Sequence, residues 1–172
     1  MNAGTVDGTD VGTEPAVAVA GLRKAYGQRV CLESVDLRIM PGEVFALLGP
    51  NGAGKTTIVR ILSTLISADA GEITVMGHDL RTDPGAVRKL IGVTGQFSAV
   101  DDLLTGEENL VLMGRLLHLP ATAVRALTSE LLERFDLAEV RNQAPATYSG
   151  GMRRRLDLAM TLMGRPRLIF LD

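Results

Sequence analysis

The sequence predicts an α/β fold, with an antiparallel β portion towards the N-terminus and a helical subdomain in its second half. Three observations carry that reading. Segments 16–19, 30–39, 71–76 and 91–94 alternate or are β-branched and apolar, as strands are. Val44–Leu48 and Leu168–Leu171 are apolar throughout, as in strands covered on both faces of a mainly parallel sheet. Between about 97 and 150 the strand pattern gives way to leucines at helical spacing. The expected organisation is a disordered tail over 1–15 and one domain over 16–172, with the helical subdomain at about 97–150.

The elements follow in order. The tail holds Asp7, Asp10 and Glu14 among many Gly and Thr, with no Lys or Arg. Met40-Pro41-Gly42-Glu43 is a turn before the apolar run 44–48. Lys55–Leu65 has helical spacing through Ile58, Ile61, Leu62 and Leu65. Gly77 closes the strand at 71–76. Thr105, with Glu108 three residues on, forms a capping box for a largely helical stretch, 106–137, broken at Pro120. Its apolar faces are expected from Leu103, Leu104, Leu110, Leu112, Leu116, Leu117, Leu127, Leu131 and Leu132. The glycine turn Ser149-Gly150-Gly151 then precedes a helix over about 152–163.

Composition bounds the function. Hydrophobic residues make up 46% of the 172 and charged residues 22%, enough for a real core. The formal net charge of -2 gives no electrostatic case for a nucleic-acid partner, and none is expected. The single cysteine, Cys31, cannot close an internal disulfide and is expected as a buried small apolar residue in a reducing compartment. No apolar run approaches the ~20 residues of a membrane helix. The N-terminal stretch has neither the basic flank nor the apolar run of a signal peptide.

Gly49-Pro50-Asn51-Gly52-Ala53-Gly54-Lys55-Thr56 fits G-x-x-x-x-G-K-S/T at every fixed position, between an expected strand and an expected helix. A glycine-rich turn could match by accident, but that context makes a phosphate cradle the better reading. The glycines let backbone N–H groups turn inward around a phosphate, and the helix start adds the positive end of its dipole. Lys55 brings a cation to the β- and γ-phosphates, and Thr56 offers a hydroxyl to Mg²⁺. Thr57 completes the binding stretch. ATP and Mg²⁺ are the expected cofactors.

A phosphate loop alone does not choose among kinases, GTPases, helicases and transport ATPases. Tyr148-Ser149-Gly150-Gly151-Met152, followed by Arg153-Arg154-Arg155-Leu156, resembles the signature motif of ATP-binding cassette proteins. Leu168-Ile169-Phe170-Leu171-Asp172 resembles that family's Walker B strand, Gln96 matches its Q-loop glutamine, and Tyr26 matches the aromatic that stacks on adenine. The resemblance runs from about residue 17 to the last and implies a RecA-like P-loop NTPase core. It implies catalytic roles for Lys55 and Gln96, Mg²⁺ support from Thr56, Gln96 and Asp172, and γ-phosphate contact by Ser149, Gly150 and Gly151. That phosphate would belong to ATP held by a second ATP-binding subunit, with closure of the sandwich driving an integral-membrane permease at the cytoplasmic face of the cell membrane. Tyr148 and Met152 depart from the usual Leu and Gln of the signature, while the Ser-Gly-Gly core is intact. With 93–110, this variant looks like the drug-export branch, resembling daunorubicin-resistance ATP-binding proteins.

In the family, Walker B runs into a catalytic glutamate and, further on, a switch histidine. The sequence ends at Asp172, and His78 and His118 lie upstream, where they read as surface or helix-face residues. The expectation is a piece of a longer protein or a truncated product, impaired in turnover. Arg153 and Arg154 are expected on a solvated helix face, with Arg155 at the family's usual arginine position. Two other functions stay open: a soluble, non-transport ATPase of the same family, and a nucleotide-binding form without turnover. Residues 97–148, all that lies between Gln96 and Ser149, leave no room for the long coiled coil of the DNA-repair type.

Overall fold

The computed structural model describes residues 14–95 and 99–171. The chain divides into two compact units between Pro84 and Gly85. The tail expected over 1–15 falls almost wholly outside the described residues.

In the first unit, strand β1 (Val17–Tyr26) lies at the centre of an antiparallel sheet ordered β2-β1-β3-β4, with β2 at Arg29–Ile39, β3 at Ala70–Val75 and β4 at His78–Asp79. Val17 faces Ile39 on one side and Val75 on the other, and all three are buried. The sequence shows only the first part of β1. Beyond Val19 the register shifts repeatedly, and Gly21 has a φ of 61° while its N–H donates to Asp36 Oδ1 at 2.7 Å. Those irregularities erase the period-2 pattern that a strand reading needs. Helix α1 (Lys55–Leu62) buries Ile58, Ile61 and Leu62, one face of a helix by their spacing.

The expected strand at Val44–Leu48 does not form. The segment is in no ladder among the described residues, and Val44 and Leu48 are 101% and 91% exposed. A run apolar on both faces needs partners along both edges and layers above and below, which the sheet of this unit does not offer it. Cys31 is half-buried rather than buried. Short elements escaped the sequence reading, two of them in or beside this unit. The two-residue β4 is too short to show periodicity, and α2 (Pro84–Leu90) follows a turn in which Asp79 Oδ1 accepts from the N–H groups of Arg81 and Thr82.

The second unit sets a parallel pair, β5 (Ile91–Thr94) and β6 (Leu168–Leu171), beside helices α3 (Gly106–Leu116), α4 (Ala121–Arg134) and α5 (Gly150–Leu162). Leu110, Leu132, Leu137, Leu156, Ala159 and Met163 are the fully buried heart of its core. The capping box is present: Glu108 N–H donates to Thr105 Oγ1 at 3.2 Å, and Thr105 N–H donates to Glu108 Oε2 at 2.7 Å. Pro120 ends the break between α3 and α4, as expected.

Not every leucine packs inward. Gly106, Asn109, Leu110 and Gly114 form the buried stripe of α3, which puts Leu112 and Leu116 on its outer face. Leu103 and Leu117 are exposed as well. The stripe uses glycine for closeness: a Cβ on Gly114 would stand 2.8 Å from Val124 Cγ2 and 2.9 Å from Met163 Cε. β6 is not covered on both faces either. Phe170 is buried, but Ile169 and Leu171 are exposed, and among the described residues the strand has a single neighbour.

Candidate functional site

The loop 49–54 leads into the N-terminus of α1 and turns on three glycines, Gly49, Gly52 and Gly54, with φ of 156°, 84° and 84°. Gly52 and Gly54 need the left-handed conformation that only glycine adopts without strain. The loop closes on itself: Ala53 N–H donates to Pro50 O at 3.2 Å, and Lys55 Nζ donates to Gly49 O at 2.7 Å and Pro50 O at 2.8 Å. Lys55 is thereby folded over the loop. Gly54 is the N-cap of α1, and no side chain caps that end.

Gly54 is also a close-approach point. A Cβ there would stand 2.5 Å from Leu32 Cδ2 and 3.3 Å from Cys31 O, so the loop base seats directly on β2. A step further along α1, Thr57 Oγ1 and Cys31 Sγ are 3.4 Å apart. The rim at Gly49–Ala53 is exposed, whereas Gly54 is buried. The stretch 49–57 holds one cation and two hydroxyls but no carboxylate. Backbone donors at a helix start, an ammonium and a hydroxyl are a donor set that fits a phosphate chain with a divalent cation.

Tyr26, at the end of β1 in the same unit, is 51% exposed. Lys24 Nζ lies 5.7 Å from its ring centroid and is held there by Asp69 at 2.8 Å. That hydrogen bond, then the one from Ala25 N–H, holds the Asp69 carboxyl below its ordinary range.

In the second unit, Ser149 is the N-cap of α5: its Oγ accepts from Met152 N–H at 3.2 Å, and its carbonyl accepts from Arg153 N–H at 2.9 Å. The hydroxyl keeps its own hydrogen to donate outward. A Cβ on Gly150 would meet nothing within 4 Å, so this helix start is open to a ligand. Tyr148, just before it, is buried and donates its hydroxyl to Val140 O at 2.8 Å. Burial pushes its phenol pKa up.

Of the arginines that follow, Arg154 is exposed as expected, while Arg153 and Arg155 are half-buried, and all three are paired. Arg153 pairs with Asp102, Arg154 reaches Asp157 at 3.3 Å, and Arg155 donates to Phe135 O at 2.9 Å and Asp136 at 3.2 Å. Asp157 is an i,i+3 neighbour of Arg154 on the same helix, whereas Asp102 and Asp136 lie far from Arg153 and Arg155 in sequence, where spacing could not reveal them. His78 pairs with Asp83 at 3.3 Å, and His118 is an exposed residue just past α3 with a φ of 55°.

The site residues thus fall in two groups, the phosphate loop and Tyr26 in one unit and Ser149–Gly151 in the other. Gln96 and Asp172 lie outside the described residues. Among the described residues no cluster of three His, Cys, Asp or Glu could hold a metal ion, and no helix is long and apolar enough to cross a membrane. Asn109 was missed by the sequence reading. It is fully buried, donates to Asp101 O and Thr105 O at 2.9 Å each, and accepts from Asp101 N–H at 2.8 Å. It ties the segment after Gln96 to α3.

A glycine loop folded around a lysine at a helix start defines a P-loop nucleotide-binding protein. The profile of the ABC transporter family matches residues 32–172, and the chain belongs to that family. It is 53% identical over 159 residues to the daunorubicin resistance ATP-binding protein DrrA3 of Streptomyces coeruleorubidus, covering 92% of this chain and 50% of that one. It is 52% identical to the doxorubicin resistance ATP-binding protein DrrA of Mycobacterium tuberculosis, covering 91% and 48%. It is 39% identical to the Nod factor export ATP-binding protein I of Ralstonia nicotianae, covering 96% and 51%. The chain therefore spans about half the length of these relatives. Among solved structures, an ATP-binding subunit of an ABC transporter superposes with a TM-score of 0.78 at 27% identity, covering 91% of this chain and 65% of that one. CbiO1 from Clostridium perfringens, part of the transporter complex CbiONQ, gives a TM-score of 0.81 at 22% identity, covering 92% and 65%. These superpositions bear out the P-loop NTPase fold expected from the sequence.

Proposed function

We propose that this chain is the ATP-binding, energy-coupling part of an exporter of drugs, antibiotics or lipids. The single observation that carries the reading is the loop at 49–55, closed by Lys55 on two carbonyls and seated through Gly54 on β2. The exporter reading is supported by relatives whose names tie them to drug resistance and Nod factor export.

In this reading Gly49, Pro50, Asn51, Gly52, Ala53, Gly54, Lys55, Thr56 and Thr57 hold the nucleotide phosphates. Lys55 supplies the cation on the β- and γ-phosphates. The adenine stacks on Tyr26. Thr56 meets Mg²⁺ together with Gln96 and Asp172, which are assigned on their place in the motif order alone. Held by these residues, Mg²⁺ would supply neutralisation of phosphate charge. Ser149, with the N–H groups at the start of α5, contacts the γ-phosphate of a nucleotide held by a second ATP-binding subunit. The working assembly pairs two such subunits with an integral-membrane permease at the cytoplasmic face of the membrane. The domain is 16–172, with its helical subdomain at about 97–150.

Calorimetry of ATP·Mg²⁺ binding to the wild type and Lys55→Ala tests the reading. Losing a charged hydrogen-bond donor costs roughly 1.5–3 kcal/mol, about a ten- to hundredfold weaker affinity. Equal affinities in the two proteins would overturn the phosphate-loop assignment.

A further inference from the structure

We propose that Tyr148 and Gly106 are a matched pair that positions the start of α5, which makes Tyr148 a positioning residue for the phosphate contact of Ser149, Gly150 and Gly151. The inference rests on the function proposed above and deepens it.

Gly106 is the first residue of α3 and is buried. Its φ is not in the left-handed region, so glycine is not there for backbone freedom. It is there for space: a Cβ would stand 2.3 Å from the Tyr148 hydroxyl and 3.3 Å from Cζ. The ring tip therefore lies directly on the first turn of α3. From there the hydroxyl donates to Val140 O at 2.8 Å. Both other sides of this contact are fixed as well. Gly106 N–H donates to Gln143 O at 3.1 Å, and Glu107 N–H donates to Arg141 O at 3.0 Å. The Arg141 guanidinium grips the Glu107 carboxylate with Nε at 2.9 Å.

The segment 140–148 thus plugs the N-terminus of α3, and Tyr148 carries that fixation straight into the backbone of Ser149. Arg153 adds a second tie, to Asp102 and to Pro145 O. The consequence is geometric. The open helix start at Ser149–Gly151 is held by α3 as well as by its own loop, and a small shift of the ring tip tilts the phosphate-contacting groups. Placement of that kind is what limits catalysis at a shared phosphate, where a misplacement of about 1 Å can cost a factor of order 10². Burial pushes the phenol pKa up, in the direction that favours the donor form.

The test uses the protein in the assembly proposed above. Tyr148→Phe, Gly106→Ala and the double variant Gly106→Ala/Tyr148→Phe are compared with the wild type for ATP affinity, melting, and kcat and KM of ATP turnover per folded molecule. Tyr148→Phe is expected to lower kcat several-fold with KM little changed. Gly106→Ala is expected to lower kcat by on the order of tenfold or more, and removing the hydroxyl in the double variant to bring kcat back to the Tyr148→Phe level. Calorimetric affinity for ATP stays at the wild-type value throughout. Unchanged kcat in Tyr148→Phe, or a double variant no better than Gly106→Ala, would overturn the pairing. Should Gly106→Ala fail to fold, the Tyr148→Phe kcat decides alone. ATP binding that is indifferent to Lys55→Ala would instead overturn the proposed function, and the positioning role with it.

Discussion

Leu32 occupies the space that a side chain at Gly54 would need, with its Cδ2 2.5 Å from the position of a Cβ there. Gly54 also has a φ of 84°, so two requirements, space and backbone conformation, meet at one residue. Gly54→Ala is expected to destabilise the first unit by about 1–3 kcal/mol from backbone strain alone, with the clash in addition. Trimming Leu32 cannot restore it, because the strain is not in the side chain. Urea unfolding of Gly54→Ala checks this. An unshifted midpoint would contradict the seating of the loop on β2.

Asn109 predicts a different kind of loss. It is fully buried and makes both donor and acceptor bonds to the backbone of Asp101 and Thr105. Asn109→Ala removes the acceptor of the Asp101 N–H and the two bonds that the buried amide donates, each worth about 0.5–1.5 kcal/mol net. Asn109→Asp should be at least as damaging at neutral pH, since a carboxylate would face the two carbonyls that the amide now serves. Thermal melts of the three proteins check the order. A variant as stable as the wild type would show that the amide is not what holds this segment.

What the sequence revealed follows from where the information sits. The phosphate loop was legible because its chemistry needs particular residues at fixed offsets, and Thr105 with Glu108 was legible for the same reason. The outward turn of Leu112 and Leu116 was not, because leucine density hides which stripe packs until Gly114 is seen against Val124 and Met163. The partners of Arg153 and Arg155 were hidden by distance along the chain: Asp102 and Asp136 are far upstream of them. Val44–Leu48 was misread because an all-apolar run signals a covered strand, whereas a strand also needs a ladder.

Under the proposed function, Tyr26 acts by stacking rather than by hydrogen bonding. It is half-exposed, and the Lys24 ammonium stands 5.7 Å from its ring centroid. Tyr26→Phe is therefore expected to bind ATP nearly as the wild type does. Tyr26→Ala should lose about 1–3 kcal/mol, the usual worth of a base–aromatic stack. Calorimetry distinguishes the two, and a Phe variant as weak as the Ala variant would take the ring out of the site.

Glu107 gives the chain a predictable acid sensitivity. The hydrogen bonds from Arg141 hold its carboxyl below the ordinary range, against the opposing effect of burial and with help from the arginine charge. Folding therefore lowers this pKa, and the unfolded chain takes up the proton first as pH falls. The stability due to the pair is complete above the unfolded value, about 4.3, and is lost as pH falls through the lower, folded value. Glu107→Gln removes the charge and with it this dependence. Urea midpoints of the two proteins should differ most near neutral pH and converge as pH drops below about 4. Glu108 is lowered as well, by the Thr105 backbone and side chain, but it is unaltered in both proteins and cancels in the comparison. A difference that stays constant from neutral pH to below 4 would show that the Glu107–Arg141 pair adds nothing to the clamp around α3.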